Sequence, residues 1–386
     1  MKAVITGWGH TPFGKLEASF EEMIHSVARE ALADAGITGA DVDAVWLGNF
    51  NAGMVPDGFA ASMILGADEG LRFKPATRLE NACASGSAAL YAAMDAIASG
   101  RINVALVIGA EKMTAVDGAA VTRALGAASY QKEEAGLSFP EIFANFANAY
   151  AEKWGDPTEA MAHIAAKNHA AAVHNPLAQL RKPLELDFCR YVSEKNPIIA
   201  APLKKTDCSL VSDGAAALVL ADEETALTMR RAVGFRGTAH VQDFLPVSKR
   251  DILRFEGATR AWQQALAQAG VTLDDLSFVE THDCFTIAEL LEYEAMGLTK
   301  EGDGARAIKE GWTQKDGKLP VNVSGGLKAK GHPIGATGVS MHVLSAMQLV
   351  GEAPEGMQLK DARLGGIFNM GGSAVANYVS VLERIK

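Results

Sequence analysis

The sequence has few cysteines, and they are not close together in the chain. Cys83, Cys189, Cys208 and Cys284 are widely scattered, and no two of them form a CxxC pair. A disulfide-stabilised secreted scaffold and a structural zinc site both require such grouping, so both classes are excluded. We therefore expect a protein of a reducing, cytoplasmic compartment that holds no metal.

Long apolar runs are absent too. The longest candidates, such as Val104–Ala110, resemble buried strands and fall far short of the roughly 18–20 residues that a membrane-spanning helix needs. Residues 1–7 lack the apolar core of a secretory signal, and the last four residues do not match a peroxisomal address. We expect no contact with a membrane.

Positive charge is scarce relative to negative charge. The sequence contains 36 Lys and Arg residues and 46 Asp and Glu residues, which gives a formal net charge of -10. Such a chain has no general attraction for nucleic acid or for anionic lipid, so both partner classes are excluded. An anionic ligand would need a local basic patch.

The chain has ample material for a large folded core. Its 386 residues are 48% hydrophobic and 21% charged, a globular balance, and at about 150 residues per domain they predict two to three units. Three pairs of segments also resemble each other: residues 31–38 and 265–272, 86–97 and 338–349, and 104–110 and 364–370. We predict two related α/β halves at 1–245 and 246–386, each with a mostly parallel sheet. A loop subdomain, at about 113–208, is inserted in the first half.

Cys83 is the first candidate for chemistry. It follows an extended segment and opens a helix of small residues that runs to about Ser99. Aligned N–H dipoles at a helix start stabilise a thiolate, so we expect a pKa below the usual ~8.5 and a reactive nucleophile. The plain alternative is an inert, buried cysteine.

His332 lies in a second glycine-rich segment that opens a helix, Gly331–Gly338. This segment is the counterpart of the Cys83 loop in the other half, so packing of the halves would bring the two helix starts together. His332 could then accept the Cys83 proton as a general base. The plain alternative is a structural hydrogen bond, and the glycine spacing fits no nucleotide-binding loop.

Two further segments carry polar or flexible residues at strand ends. His282, Asp283 and Cys284 end one predicted strand, where sites of α/β proteins commonly lie. Alternation places His282 and Cys284 on one side and leaves Asp283 opposite as an anchor. The residues 369–373 predict a tight turn after a strand; its glycines could expose N–H groups for an oxyanion hole or simply permit the turn.

These four segments together resemble the thiolase superfamily along nearly the whole chain. Cys83 stands at the nucleophilic cysteine and His332 in the GHP motif, whereas HDCF (282–285) replaces NEAF and Asn369-Met370-Gly371 replaces CxG. This combination is similar to sterol-carrier-protein type thiolases and their bacterial and archaeal acetyl-CoA acetyltransferase relatives. The resemblance implies a five-layered αβαβα fold and acyl transfer between thioesters of coenzyme A, by Claisen condensation or thiolysis, without a permanently bound cofactor.

The resemblance also implies a role for each residue. Cys83 carries the acyl group and His332 accepts its proton, while Cys284 removes or returns the α-proton. His282 and His332 bind the enolate oxygen, and the N–H groups of Cys83 and Gly371 bind the tetrahedral oxyanion. It further implies a homodimer or homotetramer and allows for an OB-fold, zinc-ribbon partner.

Two alternatives remain open from the sequence. A ketosynthase-like condensing enzyme also uses a cysteine and histidines, but it does not need Cys284. A non-catalytic acyl-CoA- or lipid-binding protein of the same fold would need neither cysteine. The acyl-chain length, the direction of the reaction and the residues that bind the CoA phosphates cannot be derived from these patterns.

Overall fold

The computed structural model describes residues 2–386. The strands are β1 Ala3–His10, β2 Ala44–Gly48, β3 Ala76–Leu79, β4 Val104–Lys112, β5 Ile198–Ala200, β6 Leu203–Lys204, β7 Asp213–Asp222, β8 Val233–Gln242, β9 Phe278–Glu280, β10 Leu364–Gly371 and β11 Ala376–Arg384. The helices are α1 Phe20–Ala35, α2 Ala60–Met63, α3 Ser85–Ala98, α4 Gly118–Gly126, α5 Gln131–Glu134, α6 Phe139–Trp154, α7 Thr158–Ala172, α8 Leu186–Arg190, α9 Glu223–Thr228, α10 Glu256–Ala269, α11 Thr286–Ala295, α12 Gly304–Lys309, α13 Gly326–Lys330 and α14 Ile334–Val350. Within residues 2–386, no helix is long and apolar enough to cross a membrane.

Nine strands form one sheet in the order β3-β2-β4-β7-β1-β8-β11-β10-β9. Strand pairing is weakest at the centre of this sheet, because β1 and β8 pair only through Val4 with Gly234 and Ile5 with Val233. The first five strands and the last four therefore act as two sheets joined along one edge.

The strand directions differ from the prediction. In the first sheet β3, β2 and β4 are parallel, but β7 and β1 are antiparallel to their neighbours. In the second sheet β9 and β10 are parallel, but β11 and β8 are antiparallel to their neighbours. The expectation of mostly parallel sheets was wrong, since β10 and β11 are joined by a short hairpin that must reverse the chain.

Helices and sheets alternate in five layers, as the resemblance implied. Helix α1 covers the outer face of the first sheet, and α10 covers the outer face of the second. Between the sheets lie α3 and α14; α14 packs on β4 and β7 on one side and on β10 and β11 on the other. All of its 17 residues except Met347 and Val350 are buried, as expected for a helix enclosed on every side.

The ends of α1 and α10 show the duplication in atomic detail. Gly36 and Gly270 both end their helices in the left-handed conformation, with φ of 72° and 65°. In each case the next residue donates its N–H to the carbonyl five positions back, the hydrogen bond of a Schellman cap. Two residues after each glycine, Thr38 and Thr272 begin matching capping boxes. The similar segments thus fold into similar structures.

The position of β8 bears on where the halves divide. It pairs with β11 and packs against α10, so it takes the place in the second sheet that β1 takes in the first. The division after residue 245 stays a proposal, and the equivalence of β8 and β1 favours a position between α9 and β8.

Candidate active site

Cys83 and His332 occupy equivalent positions in the two halves. Each lies two residues before the first residue of its helix, Cys83 before α3 and His332 before α14. The two helices cross closely: a Cβ on Gly86 would lie 2.7 Å from the carbonyl oxygen of Gly335, and a Cβ on Gly338 would lie 2.5 Å from the backbone nitrogen of Ser87. The glycines are needed for this approach, which brings the two helix starts together.

Three ligand-type atoms meet at this crossing. The Sγ of Cys83 and one ring nitrogen each of His282 and His332 lie within 4.8 Å of one another. The two imidazoles are nearly perpendicular, with their ring centres 5.0 Å apart. The sequence analysis singled out these three residues from separate segments.

The proton on His332 can be located from its neighbours. Its Nδ1 lies 2.7 Å from the hydroxyl of Thr337, and that hydroxyl donates to the carbonyl of Pro333. Because the hydroxyl's own hydrogen is used there, it accepts the Nδ1 hydrogen of His332. The Nε2 is therefore an unprotonated acceptor, and no residue from 2 to 386 forms a hydrogen bond with it. His332 is prepared to take a proton.

His282 has the opposite tautomer. The amide Nδ2 of Asn369 lies 2.9 Å from its Nδ1 and also donates to the carbonyl of Cys83, which can only accept. The amide orientation is thereby set, and the Nδ1 of His282 accepts. The hydrogen of His282 is on Nε2, which is buried and makes no hydrogen bond within the described part of the chain. His282 is prepared to donate to an oxygen of a ligand.

The same tautomers count against a metal at this cluster. A structural or catalytic zinc needs at least three protein ligands with free electron pairs. Here Cys83 and His332 can supply two, but the Nε2 of His282 is blocked by its hydrogen.

Burial determines the charge state of the catalytic pair. It raises the pKa of the Cys83 thiol to about 12, with smaller contributions in the same direction from Glu111 and Glu80, although the N–H groups of Gly372 and Cys83 itself act the other way. Burial, followed by the charge of Lys330, lowers the pKa of His332 to about 3. The expectation of a lowered Cys83 pKa was wrong, because desolvation outweighs the helix dipole. The resting pair is a neutral thiol beside a neutral imidazole.

Cys284 lies at the same site, between β9 and α11. It is buried, and burial raises the pKa of its thiol well above the usual value, with a further contribution from Cys83. Asp283 points away and accepts the N–H groups of Leu327 and Lys328 at the start of α13, together with the amide of Asn168. The prediction of Asp283 as an anchor is confirmed.

The segment 369–373 differs from the predicted turn. Asn369 and Gly371 belong to β10, and the reversal comes only after them, with left-handed φ at Gly372 and Ala374. The N–H that faces the Cys83 sulfur is that of Gly372, while the role of Gly371 stays a prediction. Arg250 holds this reversal by donating to the carbonyl and the hydroxyl of Ser373.

A cavity of about 320 Å³ opens onto the cluster. Cys83, Cys284 and His332 lie on its wall, and most of the remaining wall is apolar. The chain between β4 and β7 supplies two sides of it, from Met113 to Pro140 and from Ile199 to Val211. An apolar group could thus extend from the cysteines toward the insertion.

Sequence reasoning missed two residues of the site. Thr337 was within the glycine-rich motif, but nothing in a single sequence shows that its hydroxyl binds Nδ1 of His332. Asn369 was noted only as a departure from CxG, and its contact with His282 follows from strand pairing that the sequence does not reveal.

The arrangement is that of an enzyme with thiol chemistry: two duplicated α/β halves have Cys83 and the acceptor nitrogen of His332 at their joint, and a second thiol lies beside them. Family models agree, because residues 3–224 match the thiolase N-terminal domain and residues 239–384 match the thiolase C-terminal domain-like family. The chain belongs to the thiolase family of acyltransferases.

Individual relatives are similar over nearly the whole chain. An acetyl-CoA acetyltransferase of Methanothermobacter thermautotrophicus is 36% identical, covering 98% of this chain and 99% of the relative. Sterol carrier protein 2 of Oryctolagus cuniculus is 32% identical, covering 97% of this chain and 71% of the relative. Among solved structures, an Ltp2-ChsH2(DUF35) aldolase has a TM-score of 0.84 at 21% identity, covering 99% of this chain and 98% of that one. That last likeness shows the fold.

Proposed function

We propose that this chain is a CoA-dependent thiolase of the acetyl-CoA acetyltransferase or 3-ketoacyl-CoA thiolase type. The observation that carries the proposal is the Cys83–His332–His282 cluster at the end of an apolar cavity, with an acceptor nitrogen on one histidine and a donor nitrogen on the other. The name of the Methanothermobacter relative supports the same substrate class.

In the cleavage direction, the Nε2 of His332 accepts the Cys83 proton and the thiolate attacks the 3-keto carbon of a 3-ketoacyl-CoA. The C2–C3 bond breaks, which leaves an acyl group on Cys83 and the enolate of acetyl-CoA. Cys284 protonates the enolate carbon while His282 and the protonated His332 donate to its oxygen. CoA then takes the acyl group; its thiol proton restores Cys284, and His332 returns its proton to Cys83.

The neutral resting pair suits this sequence of steps. His332 begins as an acceptor and becomes a donor only after it has taken the Cys83 proton, so one ring can serve both steps. Condensation of two acetyl-CoA molecules follows the same path in reverse, with Cys284 removing the α-proton. Neither direction calls for a permanently bound cofactor.

The test is an assay with acetoacetyl-CoA, with and without CoA. We expect continuous formation of acetyl-CoA only when CoA is present. Without CoA we expect a single equivalent of acetyl-CoA per site, together with an acetyl adduct on Cys83 by intact mass and peptide mapping. Cys83→Ala should abolish both. Cys208→Ala is the matched control, because Cys208 also lines the cavity but has no assigned role. Binding of acyl-CoA without adduct or turnover, also with longer 3-ketoacyl-CoAs, would indicate a non-catalytic binding protein instead.

We propose further that the chain works in the cytoplasm, in lipid metabolism, as a homodimer or homotetramer. Among the described residues the outer edge of β3 has no strand partner, and Phe59 and Phe73 are 86% and 85% exposed on the same half. Uncovered edges and apolar side chains of this kind favour association. Light scattering on the purified chain tests the oligomeric state, with a monomer contradicting it.

A protein partner is a separate proposal. The solved aldolase pairs Ltp2 with ChsH2, a DUF35 protein, which supports a partner of that kind here. Full thiolase activity of the purified chain alone would show that no such partner is required for the chemistry.

A further inference from the structure

Asn369 connects three parts of the site. It is fully buried in β10, where Ile367 pairs with Glu280 of β9. Continuing both chains by two residues places Asn369 beside His282. Its amide Nδ2 donates to the Nδ1 of His282 and to the carbonyl of Cys83, and its Oδ1 accepts from the hydroxyl of Ser87.

We propose that Asn369 is a positioning residue that fixes the hydrogen of His282 on Nε2, and thereby makes His282 a donor to the enolate oxygen. This inference rests on the proposed thiolase function and assigns a role to the residue that stands in place of the CxG cysteine. A cysteine or an aliphatic side chain at this place could not hold the imidazole in the same way.

The carbonyl of Cys83 can only accept a hydrogen bond, so the Asn369 atom that faces it and His282 is the donor Nδ2. The Oδ1 of Asn369 then faces the hydroxyl of Ser87 at 2.7 Å. A neutral imidazole that accepts at Nδ1 carries its hydrogen at Nε2. That atom is buried, and its ring belongs to the cluster with Cys83 and His332.

The contact with Asn369 also keeps His282 in the opposite tautomer to His332. Burial and the neighbouring His332 and Lys330 lower the pKa of His282 well below its usual value, so the ring is neutral and holds a single hydrogen. Without a donor at Nδ1, that hydrogen could occupy either nitrogen. The opposite tautomer would turn a lone pair of His282 toward the enolate oxygen, which would repel it.

The first experiment reads the tautomer without activity. Side-chain ¹⁵N NMR of the histidine-labelled protein distinguishes a protonated from an unprotonated ring nitrogen, and the His282→Gln variant assigns the signal by its loss. We expect hydrogen on Nε2 in the wild type. Hydrogen on Nδ1 of His282 would overturn the proposal whatever the activity of the protein.

The second experiment separates two half-reactions in the Asn369→Leu variant, which keeps the volume but removes the donor. We expect acylation of Cys83 by acetyl-CoA, which releases CoA and forms no enolate, to stay within about threefold of wild type. Exchange of the α-protons of acetyl-CoA with D₂O, which requires the enolate, should fall about 10- to 100-fold, less than the ~10²–10³ for removal of a whole donor.

The control is Ser87→Ala, which removes the contact to Oδ1 and leaves both Nδ2 hydrogen bonds. Both half-reactions should then change by less than about threefold. Equal losses of acylation and exchange in Asn369→Leu would show that Asn369 acts by positioning Cys83 instead of His282, and would overturn the proposal. Absence of both half-reactions in the wild type would contradict the proposed function, while the tautomer measurement would still decide the role of Asn369.

Discussion

The starts of α3 and α14 are the same structure with different chemistry. Cys83 and His332 hold the same position relative to their helices, and close glycine contacts bring the helices together. The His332 loop has a dedicated side chain, Thr337, that orients its functional group. No side chain orients the Cys83 thiol in this way. Side chains hold only the backbone of its loop: the Ser85 hydroxyl donates to the carbonyl of Ala82, which has a left-handed φ of 50°, and Asn369 donates to the carbonyl of Cys83. The duplication supplies the geometry, and only the side chains differ.

Replacing His332, the proposed base, should have the largest effect on the reactivity of Cys83. His332→Gln leaves the half-buried Cys83 thiol, with its pKa of about 12, without its proposed base, so acylation should fall about 10³-fold. Alkylation of Cys83 by iodoacetamide should then rise about tenfold for each unit of pH between 7 and 10, because only the thiolate reacts and its fraction grows in that proportion.

The control for that series is His174→Gln, at an exposed histidine outside the cavity, which should behave as wild type. An unchanged alkylation rate in His332→Gln would mean that Cys83 loses its proton to a different group.

Separating the two helices should have the next largest effect. In Gly338→Ala the new methyl group would lie 2.5 Å from the backbone of Ser87 and 2.6 Å from Asn369. Since backbone cannot move away cheaply, we expect a loss of about 1–3 kcal/mol in the free energy of unfolding, measured by urea denaturation. Gly58→Ala, with no atom within 4 Å of its added Cβ, should unfold like wild type. Equal stability of both variants would argue against a close helix crossing.

Removing the orienting hydroxyl should have the smallest effect. Thr337→Val keeps the shape of the side chain but leaves the Nδ1 hydrogen of His332 without an acceptor. We expect kcat to fall about tenfold with little change in KM, which corresponds to about 1.4 kcal/mol. Ser345→Ala removes a buried hydroxyl of the same helix that has no partner, and should leave kcat unchanged. Equal kcat in both variants would show that the Thr337 hydroxyl does not orient His332.

Local patterns predicted the fold better than they predicted the electrostatics. The repeated segments around Gly36 and Gly270 are eight residues long and contain the residues that cap the two helices. Their structural similarity could therefore be predicted from the sequence. The equivalence of the Cys83 and His332 loops followed from the same repeat. The raised pKa of Cys83 could not be predicted, because it depends on what the folded halves bury around the thiol. The antiparallel strands were missed because strand direction is set by distant pairing partners.

The enclosure of α14 between the two sheets has a consequence for synthesis on the ribosome. The inner face of β4 and β7 is complete by residue 222, but the helix that covers part of it begins only at Ile334. More than a hundred residues must therefore be translated before this apolar face acquires its neighbour. While the second half is still being made, this face of the first half stays partly uncovered, and Cys83 meets His332 only after most of the chain has emerged.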